Sequence, residues 1–267
     1  MISKRLNRIS SHIKGRRMAD IGTDHGLVPI FLIENGVVDY AVAADISKPS
    51  LQKAIDLAKE KNIKLDARLG DGMEVLKAED DIETVVIAGM GGVLIGEILS
   101  ASEISKSVRL ILQPMQGARE LRKYLFENGY KIIEEDVVFE DDRYFEIIVA
   151  EYDKEIRKVQ DEIEFKIPIR ALEKNQEEAF LYLEYLIDAN LSIMKGLKKG
   201  KRALTRYIEL KKEVNYYEKI NDKYRKNNWI YKKDCTGRIP RGLGQFWLSG
   251  ENKKWNGQGH TMYGCNG

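Results

Sequence analysis

The chain of 267 residues is 43% hydrophobic and 32% charged, with a formal net charge of +2, so it can bury a full core with room for one large domain and a smaller one. No run of about 18 apolar residues occurs and Met1-Ile2-Ser3-Lys4-Arg5 has no apolar signal core, so neither a membrane span nor secretion is expected, and the cytoplasm is the expected compartment. With only His12, His25 and His260, and with both cysteines, Cys235 and Cys265, in the last stretch, no clustered metal site is expected.

The small net charge hides two basic stretches. Residues 1–17 carry Lys4, Arg5, Arg8, Lys14, Arg16 and Arg17 without an acid, and from Lys195 to Lys212 eight basic residues face Glu209 alone. Such stretches are the footprint of a polyanion partner; a solvated helix face is the plain alternative. From residue 17 to about 151, short apolar runs alternate with helical patterns, as in a parallel sheet covered on both faces. Strands are predicted over 18–21, 40–44, 65–69 and 84–88, with a fifth ending at Gln113-Pro114, and helices over 27–35, 49–62, 93–101 and 117–127. In the last helix Leu121, Leu125 and Tyr124 form the inward stripe, while Arg119, Arg122 and Lys123 point elsewhere.

Two long strand candidates follow, 130–139 and 144–152, joined by Glu140-Asp141-Asp142-Arg143, a connection short enough for an antiparallel hairpin. The expected fold is α/β, a class I, Rossmann-like methyltransferase sheet closed by that hairpin. After Pro168 the chain turns helical. Phe180, Leu183, Ile187, Leu191, Met194 and Leu197, then Leu204, Ile208, Val214, Tyr217, Ile220 and Tyr224, recur at three and four, predicting a coiled-coil-like antiparallel helical hairpin with arms of about 40 Å. The last 39 residues hold all three Trp, both Cys and eight of the 22 Gly, and read as an unstructured or frameshift-derived tail without assigned function. The expected division is thus an α/β domain over 1–153, a hairpin over 154–228 that serves a polyanion partner or packing, and the tail over 229–267.

The chemistry gathers at the strand ends, which in open α/β sheets face one ligand crevice. Gly22 and Gly26 bracket the first turn, where missing side chains let a ligand approach backbone amides. Thr23, Asp24 and His25 fill the interval, so the G-x-G-x-x-G pyrophosphate fingerprint is absent. Asp45 follows Gly22 by 23 residues, the separation at which an acid ending the second strand accepts both ribose hydroxyls. Asp71, between Gly70 and Gly72, suits an adenine amino group. Asp24 suits a cofactor ammonium group, or alternatively caps the helix that follows. Two carboxylates without a phosphate cradle favour S-adenosylmethionine over NAD. Ala88-Gly89-Met90-Gly91-Gly92 leaves a nearly bare wall where methyl donor and acceptor would meet, or simply permits a tight turn. Gln113 ends the fifth strand on the same rim and could hydrogen-bond a planar base.

Together Ser3-Lys4-Arg5-Leu6, Ala19-Asp20-Ile21-Gly22-Thr23-Asp24-His25, Gly70-Asp71-Gly72, Ile87-Ala88-Gly89-Met90-Gly91-Gly92 and Leu110-Ile111-Leu112-Gln113-Pro114 resemble the bacterial TrmK family. The resemblance covers residues 1 to about 226 and implies a class I methyltransferase domain, a C-terminal helical domain, and methylation of N1 of adenine at tRNA position 22. It implies that Asp20, the loop Gly22 to Gly26, Asp45, the loop of Asp71 and Gly72, and Ala88 to Gly91 surround S-adenosylmethionine. Met115 stands where family members often carry Asn, and the tail has no family counterpart.

The expected mechanism has an unstacked adenine attack the sulfonium methyl through its N1 lone pair, with alignment contributing more than a strong base. Gln113 would orient the base, Gly91 would leave the methyl path open, and Tyr144 would stack on the base. Arg5 and Arg8, and next Arg119 and Arg122, are the expected phosphate contacts. A small-molecule methyltransferase, a methyltransferase for another RNA position, a non-enzymatic tRNA-binding module and an NAD enzyme remain the alternatives at this level.

Overall fold

The structure, a computed structural model, describes residues 2–157, 159, 161–197 and 200–229. Its frame is a seven-stranded sheet of β1 (Arg17–Ile21), β2 (Tyr40–Asp45), β3 (Asp66–Leu69), β4 (Thr84–Gly91), β5 (Arg109–Gln116), β6 (Tyr130–Glu140) and β7 (Arg143–Tyr152), in the order β3-β2-β1-β4-β5-β7-β6. The first five strands run parallel, and β7 is antiparallel to both β5 and β6. Chain order diverges between β1 and β4, which opens the ligand crevice at their carboxyl ends.

The central strands are apolar on both faces because helices cover both. Met18, Val86, Ile111, Ile147 and Val149 pack with Ile9 of α1 (Lys4–Ser10) and with Val28 and Leu32 of α2 (Leu27–Glu34). Their neighbours Ala19, Val85, Ile87, Leu110, Leu112 and Ile148 pack with Ile95 and Leu99 of α4 (Gly92–Ser100) and with Leu121 and Leu125 of α5 (Ala118–Glu127), while α3 (Lys48–Glu60) links β2 to β3. The hairpin is tighter than expected: Glu140 pairs with Arg143, and only Asp141 and Asp142 turn, both left-handed at φ +50° and +58°, as a two-residue type I′ turn requires.

The C-terminal helices are α6 (Ile169–Glu173), α7 (Glu177–Gly196) and α8 (Lys201–Trp229). Arg225 donates to Glu184 at 2.9 Å and Asn190 to Glu213 at 3.0 Å, so α7 and α8 run antiparallel. Phe180, Leu183, Tyr217 and Ile220 pack against Val137 of β6, which attaches the hairpin to the sheet. Two positions of the expected stripe do not pack: Leu204 and Ile208 are 61% and 59% exposed, and Leu210 is buried instead. The arms have 20 and 29 residues, about 30 and 43 Å at 1.5 Å per residue. Residues 1–228 form one compact unit. Among the described residues no helix is long and apolar enough to cross a membrane and no group of His, Cys, Asp and Glu could hold a metal ion. The tail expectation falls beyond Trp229, outside the described residues.

Candidate cofactor and acceptor site

The turn after β1 is tied to β2 by two amides, since Gly22 N and Thr23 N both donate to Ala44 O, at 2.8 and 3.0 Å. Gly22 has φ +74°, and a Cβ there would lie 1.9 Å from Met90 Cε; the missing side chain makes room for Met90 and thereby joins the β1 and β4 turns. Thr23 Oγ1 donates to Asp20 at 2.6 Å. Burial pushes the Asp20 carboxyl up to about 6, against the Thr23 hydrogen bond and with help from the charge of Asp45. His25 is left-handed at φ +65°, a strained conformation for a residue with a Cβ. Gly26, also left-handed, is the N-cap of α2, so Asp24 does not cap that helix. Its carboxylate is exposed and lies 3.5 Å from Lys53 and 3.6 Å from His25.

Asp45 closes β2. Its Oδ1 accepts from Ser47 N at 2.6 Å, and its backbone oxygen accepts from Gly70 N at 3.1 Å, which brings the β3 turn alongside. Oδ2 takes no hydrogen bond from the described residues, so it is available to a ribose. Asp71 is exposed and precedes the 3-10 turn Gly72–Val75 without capping it by its side chain, which leaves its carboxylate free for a donor on a ligand.

The two readings of the β4 glycines divide by position. Gly89 has φ +82° and a Cβ there would meet nothing within 4 Å, and one at Gly91 would only reach Gln116 Nε2 at 4.0 Å. Gly92 serves packing, because its Cβ would lie 2.0 Å from Gly117 O. Hence Gly89 and Gly91 face open space at the end of β4 while Gly92 lets α4 approach α5. A bulge between Ala88 and Met90 shifts the pairing with β5 just there. These open glycines, with the carboxylates of Asp45 and Asp71 at the ends of β2 and β3 on the same rim, leave room and acceptors for an adenosine cofactor.

Gln113 pairs across from Ala88 and is 0% exposed. Its Oε1 accepts from Arg5 Nη1 at 2.6 Å and its Nε2 donates to Pro114 O at 3.0 Å. The buried amide therefore holds Arg5 rather than reaching a base directly. Tyr144 lies elsewhere: it packs on Phe139, Tyr182 and Tyr185, with ring centres 4.8, 5.2 and 5.5 Å away. Adjacent strand residues face opposite sides, and it is Phe145, missed by the sequence reading, that lies 4.9 Å beneath the Arg5 guanidinium.

The expected phosphate contacts separate. Arg8 pairs with Asp136 at 3.3 Å, and Asp136 also binds His12 at 2.7 Å. Arg119, 39% exposed, pairs with Glu162 at 2.6 Å. Arg122 is not at the surface: its side chain is 3% exposed, bound to Glu135 at 2.7 Å, to Glu146, and to Phe165 O at 3.2 Å. It faces inward, against expectation, because burial of its charge is outweighed by two carboxylates, and its protonation is stabilised accordingly. Burial conversely raises the Glu135 carboxyl. This triad joins α5 to the hairpin strands and cannot meet an RNA phosphate.

A family model described as a methyltransferase domain matches residues 2–148. The chain is 37% identical over 155 residues to the tRNA (adenine(22)-N(1))-methyltransferase of Bacillus subtilis, an alignment spanning 56% of this chain and 65% of that protein's length. Among solved structures it is similar to the B. subtilis m1A22 tRNA methyltransferase TrmK, at TM-score 0.72 and 26% identity over 83% of this chain and 99% of that one. It is likewise similar to M. capricolum TrmK in complex with S-adenosylhomocysteine, at TM-score 0.70 and 27% identity over 83% and 98%. The chain belongs to the methyltransferase domain family, and its likeness within that family is to the TrmK proteins.

Proposed function

We propose that the protein transfers the methyl group of S-adenosylmethionine to N1 of adenine at position 22 of tRNA. The observation that carries this reading is that Asp45, with one carboxylate oxygen unused, ends β2 on the same rim of the parallel sheet as the open glycines Gly89 and Gly91 of β4. Its relatives named as adenine-22 N1-methyltransferases supply the acceptor. In this reading Asp45 holds the ribose, Asp71 the adenine amino group, and Asp24 the ammonium group of the cofactor, while Asp20, Thr23 and Gly22 fix the turn beneath it.

When bound, S-adenosylmethionine supplies an electrophilic methyl on a sulfonium. The adenine N1 lone pair forms the new N–C bond as the C–S bond breaks, the electron pair stays on sulfur, and the positive charge passes to the base. No proton must leave in that step, so the chain's task is to align and exclude water. The bare positions Gly89 and Gly91 keep the path between donor and acceptor clear. Arg8 and Arg119 on the catalytic domain, 1–153, and exposed Arg202, Arg206 and Lys211 on the helical region, 154–228, supply cations for tRNA phosphates. A tRNA substrate places the protein in the cytoplasm.

The test is methyl transfer from labelled S-adenosylmethionine to two transcripts that differ only in carrying adenine or guanine at position 22. Label should enter the first and not the second; equal label in both would contradict the proposed position.

A further inference from the structure

Arg5 stands apart from the other basic residues of α1. Lys4 and Arg8 pair with acids of α7 and β6, at 3.3 Å from Glu178 and 3.3 Å from buried Asp136. Arg5 turns to the strand ends instead. Nη1 meets buried Gln113 at 2.6 Å and Met115 Sδ at 3.8 Å, the guanidinium lies 4.9 Å over the Phe145 ring, and its side chain is 23% exposed. Glu140 receives the Arg5 backbone N–H at 3.0 Å and lies 3.8 Å from Nε, which is buried and makes no hydrogen bond. Gln113 sits beside Ala88, so the guanidinium is held one strand from the open glycines of β4.

A phosphate here would bring its negative charge beside Glu140 and into a half-buried place. A neutral base edge needs only a donor. Resting on the adenine reading above, we propose that Arg5 is a base-contacting residue, which donates to a ring nitrogen of the acceptor adenine other than N1, with Gln113 and Phe145 as its positioning residues. Guanidinium has donors only. N1 must keep its lone pair for the methyl, which leaves N3 and N7 as the ring acceptors. Lysine, a point charge without the planar fork, does not replace arginine at such a site, although it would serve a phosphate.

The experiment compares wild type, Arg5→Ala, Arg5→Lys and Gln113→Leu on tRNA carrying adenine, 3-deazaadenine or 7-deazaadenine at position 22. Cofactor affinity, measured by calorimetry, reports that each variant is folded. For both Arg5 variants kcat should fall about 10²-fold, the scale for one lost preorganised donor, with tRNA affinity and its salt dependence unchanged. Gln113→Leu should lower kcat in the same direction with unchanged tRNA affinity. One deaza substitution should slow wild type and leave Arg5→Ala no slower than on adenine. Weaker tRNA binding with a lower salt slope and unchanged kcat in Arg5→Ala, or rescue by Arg5→Lys, would make Arg5 a phosphate contact and overturn the inference. So would deaza penalties equal in wild type and Arg5→Ala. Wild type that leaves adenine unmethylated would instead remove the proposed function, and this inference with it.

Discussion

Thr23 Oγ1 donates a 2.6 Å hydrogen bond to the buried carboxyl of Asp20, three residues earlier and beneath the cofactor turn. That single partner does not offset burial, which pushes the Asp20 carboxyl up to about 6 from 3.8. The folded chain therefore holds this proton more tightly than the unfolded chain. Its contribution to stability is fully present below about pH 4 and is lost as pH rises through about 6, by roughly 3 kcal/mol at 1.4 kcal/mol per unit. Urea unfolding of wild type and Asp20→Asn across pH 4 to 7 checks this. Wild type should lose stability relative to the variant as pH rises, and a constant difference would contradict the account.

Arg122 joins α5 to Glu135 and Glu146 of the hairpin in a nearly solvent-free triad. Replacing it by Ala leaves two buried carboxylates without their cation, a loss of about 3–5 kcal/mol. Denaturant midpoints should report a loss of that size. Where the variant still folds, the salt dependence of tRNA binding should match wild type; a reduced slope would return Arg122 to the RNA surface.

The glycines of the β4 turn should separate in their effects. At Gly92 an added Cβ would lie 2.0 Å from backbone Gly117 O, so Gly92→Ala must move α4 from α5 and lower stability by about 1–3 kcal/mol or more. At Gly89 the space is open but φ is +82°, so Gly89→Ala should cost about 1 kcal/mol of strain while filling the proposed methyl path. Thermal midpoints and cofactor calorimetry together decide: Gly92→Ala should fail first in stability, Gly89→Ala in cofactor binding or turnover. The reverse pattern would contradict the division of roles.

Asp45→Asn keeps an acceptor for Ser47 N–H but removes the charge that the proposed function assigns to the ribose. Hydrogen bonds to a charged group are worth about 1.5–3 kcal/mol, so S-adenosylmethionine should bind about 10- to 100-fold more weakly at nearly unchanged stability. Unaltered affinity would exclude Asp45 from the ribose site.

Much of this was legible in the chain. Central strands declare themselves as short apolar runs ended by Gly or Asp, and the acids of the crevice fall at those ends because the topology puts every such end on one rim. Arg122 escaped because its inward turn depends on Glu135 and Glu146, 13 and 24 residues away, which only a folded hairpin brings together. Tyr144 and Phe145 are adjacent aromatics on a strand packed on both sides, so alternation says that they diverge but not which one faces the site. Leu204 and Ile208 continue a helical stripe beyond the part of α7 and α8 that packs on the sheet, and spacing alone does not show where that packing ends.

The central claim is tested most directly by incubating the protein with S-adenosylmethionine and unmodified tRNA, digesting the RNA, and mapping the modified nucleoside by mass spectrometry. The account predicts N1-methyladenosine at position 22 and at no other adenine. Methylation of a different nucleoside or position, or none by protein that binds the cofactor, would contradict it.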